Sequence, residues 1–273
     1  MTQQAHPGQG HQSRAVPHQG GTLLVSPVYL AGATGADPVG PLLDNAGWSR
    51  ARLNTDAYYT SGCQRLRAAR RRTEWTFVYS ADPLGMPVWA AHFSPTTPDE
   101  VLSSFTRVLL DGLDAYFIPH LTRDRGVTPA SIFHAHDWRP VHGARPWHTT
   151  SPDQTAAFHI AIHTGPIDTA HELQVRSAAT WRITAGPEPV TRPSWSAWFT
   201  GHTPQPLMIA IARTVTDPAP VARRAHLVPA KHRTLLTLHP ATSATDTARP
   251  HRFANPAPPV PATSPQPSTP RTR

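Results

Sequence analysis

The stretch "PVWAAHFSPTTPDE", residues 87–100, returns 106 residues later as "PSWSAWFTGHTPQP", residues 193–206. Working outward, Trp75, Pro87, Trp89, Ala91, Phe93, Thr97, Pro98 and Asp111 meet Trp181, Pro193, Trp195, Ala197, Phe199, Thr203, Pro204 and Asp217 without a gap. Matches held in one register over this length mark an internal duplication, and the rest of the chain is read against it. Upstream the offset is 90: Trp48, Ser61 and Gln64 meet Trp138, Ser151 and Gln154. The second copy therefore carries 16 extra residues, within "HTGPIDTAHELQVRSAAT", placed between its second and third strands.

Each copy reads as a small physical object. Trp75, Phe77 and Tyr79 alternate with Thr76 and Val78, the period of a strand. In the next strand Trp89, Ala91 and Phe93 share a face, as do Trp195, Ala197 and Phe199, and the small middle residue leaves a groove for a helix. That helix follows. Thr97 reads as its N-cap, Pro98 as its first residue and Glu100 as the end of a capping box. The second copy keeps Thr203 and Pro204 but has Pro206 in place of the Glu. Leu102, Phe105, Leu109 and Leu113 form an apolar stripe, matched by Met208, Ile211 and Val215. The expected structural core is Trp75, Trp89, Phe93, Trp181, Trp195 and Phe199, each aromatic hiding roughly 150–250 Å². Short helices at "PVGPLLDNAGW" and "ASIFHAHDW", and strands at "DAYYTS" and "QRLRAAR", complete the unit. The fold class is α+β: two tandem copies of a helix, four-stranded antiparallel meander, helix module. An additional strand, "TLLVSPVYL", opens the first copy.

"LLVSPVYLAG", "AGW", the turn "SPDQ", the P-x-W-x-A-x-F strand, "TP" and the closing "TDPAPV" resemble the actinobacterial domain-of-unknown-function family 317, commonly present as two tandem copies. The resemblance covers about residues 22–222. It implies no activity, cofactor or catalytic residue. One departure stands out: the first-copy turn reads "SGCQ", with Cys63 where the second copy has Asp153.

The organisation that follows is a disordered N-terminal tail over 1–21, a first module over 22–113, a linker over 114–125, a second module over 126–217 and a Pro-rich basic disordered tail over 218–273. Ordering a residue costs about 1–2 kcal/mol of backbone entropy, and the Pro/Ala/Thr text of the tail offers little apolar surface to offset it. The net charge of +8 divides unevenly. Residues 22–113 carry eight Arg and eight acids, residues 126–217 six and six, and residues 218–273 eight basic groups against Asp246. The charge thus speaks for the tail's partners and not for the folded part. Residues 1–21 lack an apolar core of the kind a leader needs, and no apolar run reaches membrane-spanning length, so a cytoplasmic protein without membrane partners is expected. A single cysteine, Cys63, excludes an intrachain disulfide.

Candidate chemistry is sparse. His134, His136, Asp137, His142 and His148 crowd one segment, but a metal needs three or four ligands converging on one point, and His136 and Asp137 align over Ala46 and Gly47 at a helix end. Cys63 sits near arginines in a hairpin turn without a duplicated His or Asp partner. No nucleophile elbow, HExxH or phosphate-cradling glycine loop occurs. Arg65, Arg67, Arg70, Arg71 and Arg72, beside Trp75 and Tyr79, offer a basic strand suited to phosphates and bases. The outer face of the last strand differs between the copies, and Trp198 is the candidate for contact between modules. The expectation is a non-enzymatic scaffold that binds another macromolecule, a protein first, without a cofactor. Nucleic-acid binding through the arginines and the basic tail is the alternative, and a metal-dependent enzyme the third reading.

Overall fold

The last strand of each copy is apolar or small on both faces, and a strand of that composition belongs in the middle of a sheet, where both faces and both edges are covered. The computed structural model describes residues 21–114, 126–143, 147–161, 165–175 and 178–241. After β1 (Thr22–Ser26), the first copy runs α1 (Gly40–Asn45), β2 (Ser49–Leu53), β3 (Asp56–Thr60), β4 (Leu66–Arg71), β5 (Glu74–Ser80), β6 (Pro87–Phe93) and α2 (Asp99–Asp114). The second runs α3 (Pro129–Ala135), β7 (Arg139–Pro140), β8 (Trp147–Thr150), β9 (Ala156–Ile160), α4 (Thr169–Gln174), β10 (Trp181–Ala185), β11 (Trp195–Phe199) and α5 (Gln205–Thr216). Then come β12 (Val221–Arg224) and β13 (Thr237–Pro240). The fold is α+β with antiparallel sheets, and the order β2-β3-β4-β5-β6-β11-β10-β9-β8-β7 joins both copies into ten strands.

The seam is β6 against β11. Ala91 pairs with Phe199, His92 with Trp198 and Phe93 with Ala197. His92 and Trp198 are equivalent positions of the duplication, so a local two-fold axis passes between them. The hydrogen bonds obey it. Ser94 N donates to Ser196 O (2.9 Å) and Thr200 N to Ala90 O (3.0 Å). Ser196 N donates to Ser94 Oγ and Ala90 N to Thr200 Oγ1, both at 2.9 Å.

Directly opposite residues of an antiparallel pair point to the same face. The Trp/Ala/Phe faces of both copies therefore lie on one side, under α2 and α5. Phe93 stands 5.0 Å from Phe105 and 5.5 Å from Phe199, ring centre to ring centre, so one core crosses the seam. Trp75, Trp89, Phe93, Trp195 and Phe199 are buried, whereas Trp181 is half-buried and stacks on Phe158 at 5.9 Å. Leu102, Phe105, Leu109, Met208, Ile211 and Val215 are buried, and the side chain of Leu113 lies outside the described residues.

Several expectations are corrected. Each copy contributes five strands, not four. The added ones, β2 and β7, are wholly exposed, and the alternation of Ala51 and Leu53 in "SRARL" is too short and "RP" too polar to betray them. The 16-residue insertion therefore falls between the third and fourth strands of its copy, β9 and β10. The helix starts differ too. Asp99 opens α2, one residue after Pro98, and α5 is capped by Pro204 without a side-chain bond. Thr97 Oγ1 donates to Ser94 O (2.8 Å). The Glu100 carboxylate takes the Arg223 guanidinium at 2.8 and 2.5 Å, a charge-assisted pair stronger than a capping bond.

The tail expected to be disordered from residue 218 is folded to Ala241. β1 lies between β12 and β13 in a second, three-stranded sheet. Leu23, Val25, Ala31, Ala225 and Val228 make its small core, the apolar cover that composition averaged over the whole tail conceals. Residues 22–31, assigned to the first module, pack on the second copy: Trp195 Nε1 donates to Tyr29 O (2.7 Å), and the Tyr29 ring meets Trp138 at 6.0 Å. His232 bridges Leu30 O and Ser194 Oγ, both at 2.7 Å. Most of the N-terminal tail and of the linker, and the tail beyond 241, lie outside the described residues. Among those described, no helix is long and apolar enough to cross a membrane.

Candidate functional site

With α2 and α5 on one face, the other face of the ten-stranded sheet holds what distinguishes the copies. One row across it reads Tyr58, Ala69, Thr76, His92, Trp198, Arg182, His159, His148, each residue directly opposite the next. By the duplication Tyr58 corresponds to His148, Ala69 to His159, Thr76 to Arg182 and Arg67 to Ala157.

The insertion is anchored on both copies. Asp168 caps α4 by accepting from Ala170 N (2.9 Å) and His171 N (3.2 Å). Thr169 Oγ1 donates to Val88 O (3.0 Å), tying α4 to β6 of the other copy. Glu172 is buried, and its carboxylate accepts from Thr180 N (2.7 Å), Thr180 Oγ1 (2.6 Å) and Gly201 N (3.0 Å). A Cβ at Gly201 would stand 2.6 Å from Ile167 Cδ1, so only glycine lets the insertion come this close.

His148, His159, Thr184 and Trp198 are buried although they point away from the helices. Trp198 stacks on His92 at 4.9 Å with 21° between the rings. His92 Nδ1 bonds Thr76 Oγ1 at 3.0 Å, and its Nε2 stands 3.7 Å from Glu74. His159 Nε2 meets Thr184 Oγ1 at 3.0 Å, while its Nδ1 is buried without a partner among the described residues. Burial, helped by Arg182 and His148, pushes the His159 pKa down to about 3, so this imidazole is neutral at ordinary pH. Burial also lowers the pKa of Arg182.

The first half of the face is open. Arg67 and Arg71 are exposed there, with Tyr58, Thr60, Ala69, Thr76 and Val78 half-exposed between them. The five candidate arginines do not form one surface. Arg67 and Arg71 share the outer face, Arg71 standing 3.8 Å from Asp56. Arg70 points to the helix side and pairs with Asp37 at 3.3 Å. Arg65 and Arg72 lie in turns at opposite ends of β4, Arg72 at φ 58°.

The histidine segment is likewise divided. His134, His136, Asp137 and His142 are exposed at the end of α3 and the turn after β7, while His148 is buried on the outer face. Asp137 takes a left-handed conformation, φ 61°, where the first copy has Gly47 at φ 73°. Its place is thus a matter of backbone. Among the described residues no three His, Cys, Asp or Glu side chains gather as for a metal ion.

Cys63 is exposed in its turn. Burial, the largest single influence, raises its pKa, but the Ser61 hydroxyl at 3.3 Å and the surrounding backbone N–H groups together bring it below the ordinary thiol value. Asp153, its counterpart, is held by Ser151 Oγ (2.6 Å) and Thr155 Oγ1 (2.8 Å). The Tyr29 hydroxyl reaches the same turn, and burial followed by the Asp153 charge raises its pKa.

The clefts are open to solvent. One of about 510 Å³ is lined by Asn54, Asp56, Arg71, Arg72, Glu74 and Pro95, beside the exposed tip of β2. Sequence reading missed β2 and the Glu172 anchor. The Asn54-Thr55 turn, with Asn54 at φ 55°, was the available signal for the first; a lone Glu in an insertion carries none for the second.

A family model described as SPDY, domain of unknown function (DUF317), matches residues 51–112 and 150–221. No curated protein and no solved structure matches the chain significantly.

Proposed function

The chain belongs to the DUF317 family, with two copies of its domain, and from the open half of their shared sheet we propose a non-enzymatic scaffold that binds another macromolecule, a protein first. Each copy serves as a helix–meander–helix module, and fusion at the seam makes the pair one rigid platform. The observation that carries the reading is the contrast across one sheet face. Across the second half His148, Ala157, His159, Thr184 and Trp198 are buried, whereas Arg67, Arg71 and the half-exposed Tyr58 and Val78 are left to solvent. A photo-crosslinking residue replacing Arg67 tests it: the full chain in native extract yields a defined adduct there and none with the same residue at the exposed His226, in the turn after β12. Absence of an adduct at 67 sinks the reading.

Nucleic-acid binding is the second reading, favoured by one arrangement. Arg67 and Arg71 lie diagonally either side of Tyr58, a ring for stacking between two phosphate contacts. The adduct at 67 would then be nuclease-sensitive. Affinity for single-stranded RNA would fall with salt, and less steeply after removal of 242–273, a truncation that leaves β12 and β13 intact.

A further inference from the structure

A ten-stranded open sheet has two edges, and the two here are unlike. β7 is two residues long and contains Pro140, which has no N–H to offer. β2 is five residues long, contains no proline, and every one of its residues is exposed. Folded proteins ordinarily blunt such an edge, because its unpaired N–H and C=O groups are a template for another strand.

The phase of that template follows from the hairpin. β2 and β3 are joined by two residues, Asn54 and Thr55, with Leu53 opposite Asp56. In a hairpin of this length the closing pair exchanges both hydrogen bonds, so Leu53, Ala51 and Ser49 are spent on β3. Arg50 and Arg52 turn their main-chain groups outward. Their side chains share one face. Arg50 is held by Asp44 at 3.1 Å and lies over the Tyr59 ring at 5.3 Å, whereas Arg52 has no ion pair among the described residues. On the opposite face Leu53 is 63% exposed.

We infer that the free edge of β2 takes up an extended acidic strand from a partner protein, with a carboxylate side chain against Arg52 and an apolar one against Leu53. This rests on the macromolecule-binding reading and names the partner's chemistry. Main-chain hydrogen bonds would supply affinity, and alternate side chains specificity. A second copy of this chain is the poorer occupant: antiparallel pairing of β2 with itself about Ala51 sets Arg50 against Arg52 in both directions, and like charges directly opposite destabilise a strand pair.

The test uses the full chain and a short synthetic peptide alternating Glu and Val, with its Lys/Val counterpart and a single-stranded RNA as rival probes. The acidic peptide binds saturably and more weakly as salt rises. Arg52→Pro removes an outward N–H while sparing the β3 ladder, and Arg52→Glu reverses the charge with the ladder untouched. Each lowers the acidic peptide's affinity by about tenfold or more. Unchanged affinity in Arg52→Glu, equal binding of the Lys/Val peptide or the RNA, or a dimer that Arg52→Pro abolishes would each overturn the inference. An adduct at position 67 that survives both variants, with no peptide binding, keeps the outer-face reading and removes the edge. Peptide binding without that adduct does the reverse.

Discussion

The two copies agree on the helix-facing side of their last strands and part company where side chains face away. Trp89, Ala91 and Phe93 repeat as Trp195, Ala197 and Phe199 beneath α2 and α5, whereas Arg67, Ala69 and Thr76 become Ala157, His159 and Arg182 on the outer face. The helix face must be filled at near-crystalline density, so it tolerates few solutions. The outer face is free to differ, and it has: in the second copy His148, His159 and Thr184 are buried there, while in the first Arg67, Arg71 and the β2 edge stay exposed. On the proposed reading, binding belongs to the first copy and reinforcement to the second.

The strongest way to break this comparison is at the shared core. Phe93→Ala and Phe199→Ala should each cost about 3–5 kcal/mol in chemical denaturation, with both copies lost in one transition. Two separate transitions would show that the seam does not unite them. Next is the insertion. Glu172→Ala strands the donors on Thr180 and Gly201 and should cost about 3 kcal/mol, while raising amide exchange along β10 and β11 and sparing β3 and β4. Uniform exchange would mean that α4 does not protect its half selectively.

Acid sharpens the contrast between His159 and its counterpart Ala69. The folded pKa of His159 lies below the unfolded value, so below about pH 6.5 the unfolded chain takes up a proton that the folded chain refuses. Stability falls as pH drops from there towards 3, by about 2–3 kcal/mol at pH 4.5 from this group alone. His159→Ala should flatten the slope of unfolding free energy in that window, and a slope identical to the parent's would refute the assignment. His232, also lowered by burial, contributes in the same direction to what slope remains.

The smallest effect tests the two-fold axis. Ser94→Ala and Thr200→Val each remove a hydroxyl that accepts a backbone N–H across the seam, and each should cost about 1 kcal/mol. Markedly unequal losses would show that the two ends of the seam are not equivalent.

Legibility followed the same division. Trp75, Trp89 and Phe93 could be read because a buried strand advertises itself by aromatic alternation. β2 could not, since a strand exposed throughout needs no apolar residue and "SRARL" has only its turn to mark it. The folded part of the tail was hidden by averaging: Ala225 and Val228 sit in proline-rich text, and only the partner strand β1, almost two hundred residues earlier, gives them something to cover. The arginine run was visible as a run, but alternation along β4 sends Arg70 to one face and Arg67 and Arg71 to the other.

The sequence by itself determined the duplication, the strand and helix faces that must be buried, and where the net charge lies, because these are properties of short stretches and their spacing. Only the tertiary structure decided that the two last strands pair with each other, that residues 22–31 and 218–241 pair together and reach both copies, and that one sheet edge stays open. Those are long-range pairings. Their free energy comes from partners distant along the chain, such as Glu100 with Arg223 and Trp195 with Tyr29, and no local pattern encodes which distant partner will be met.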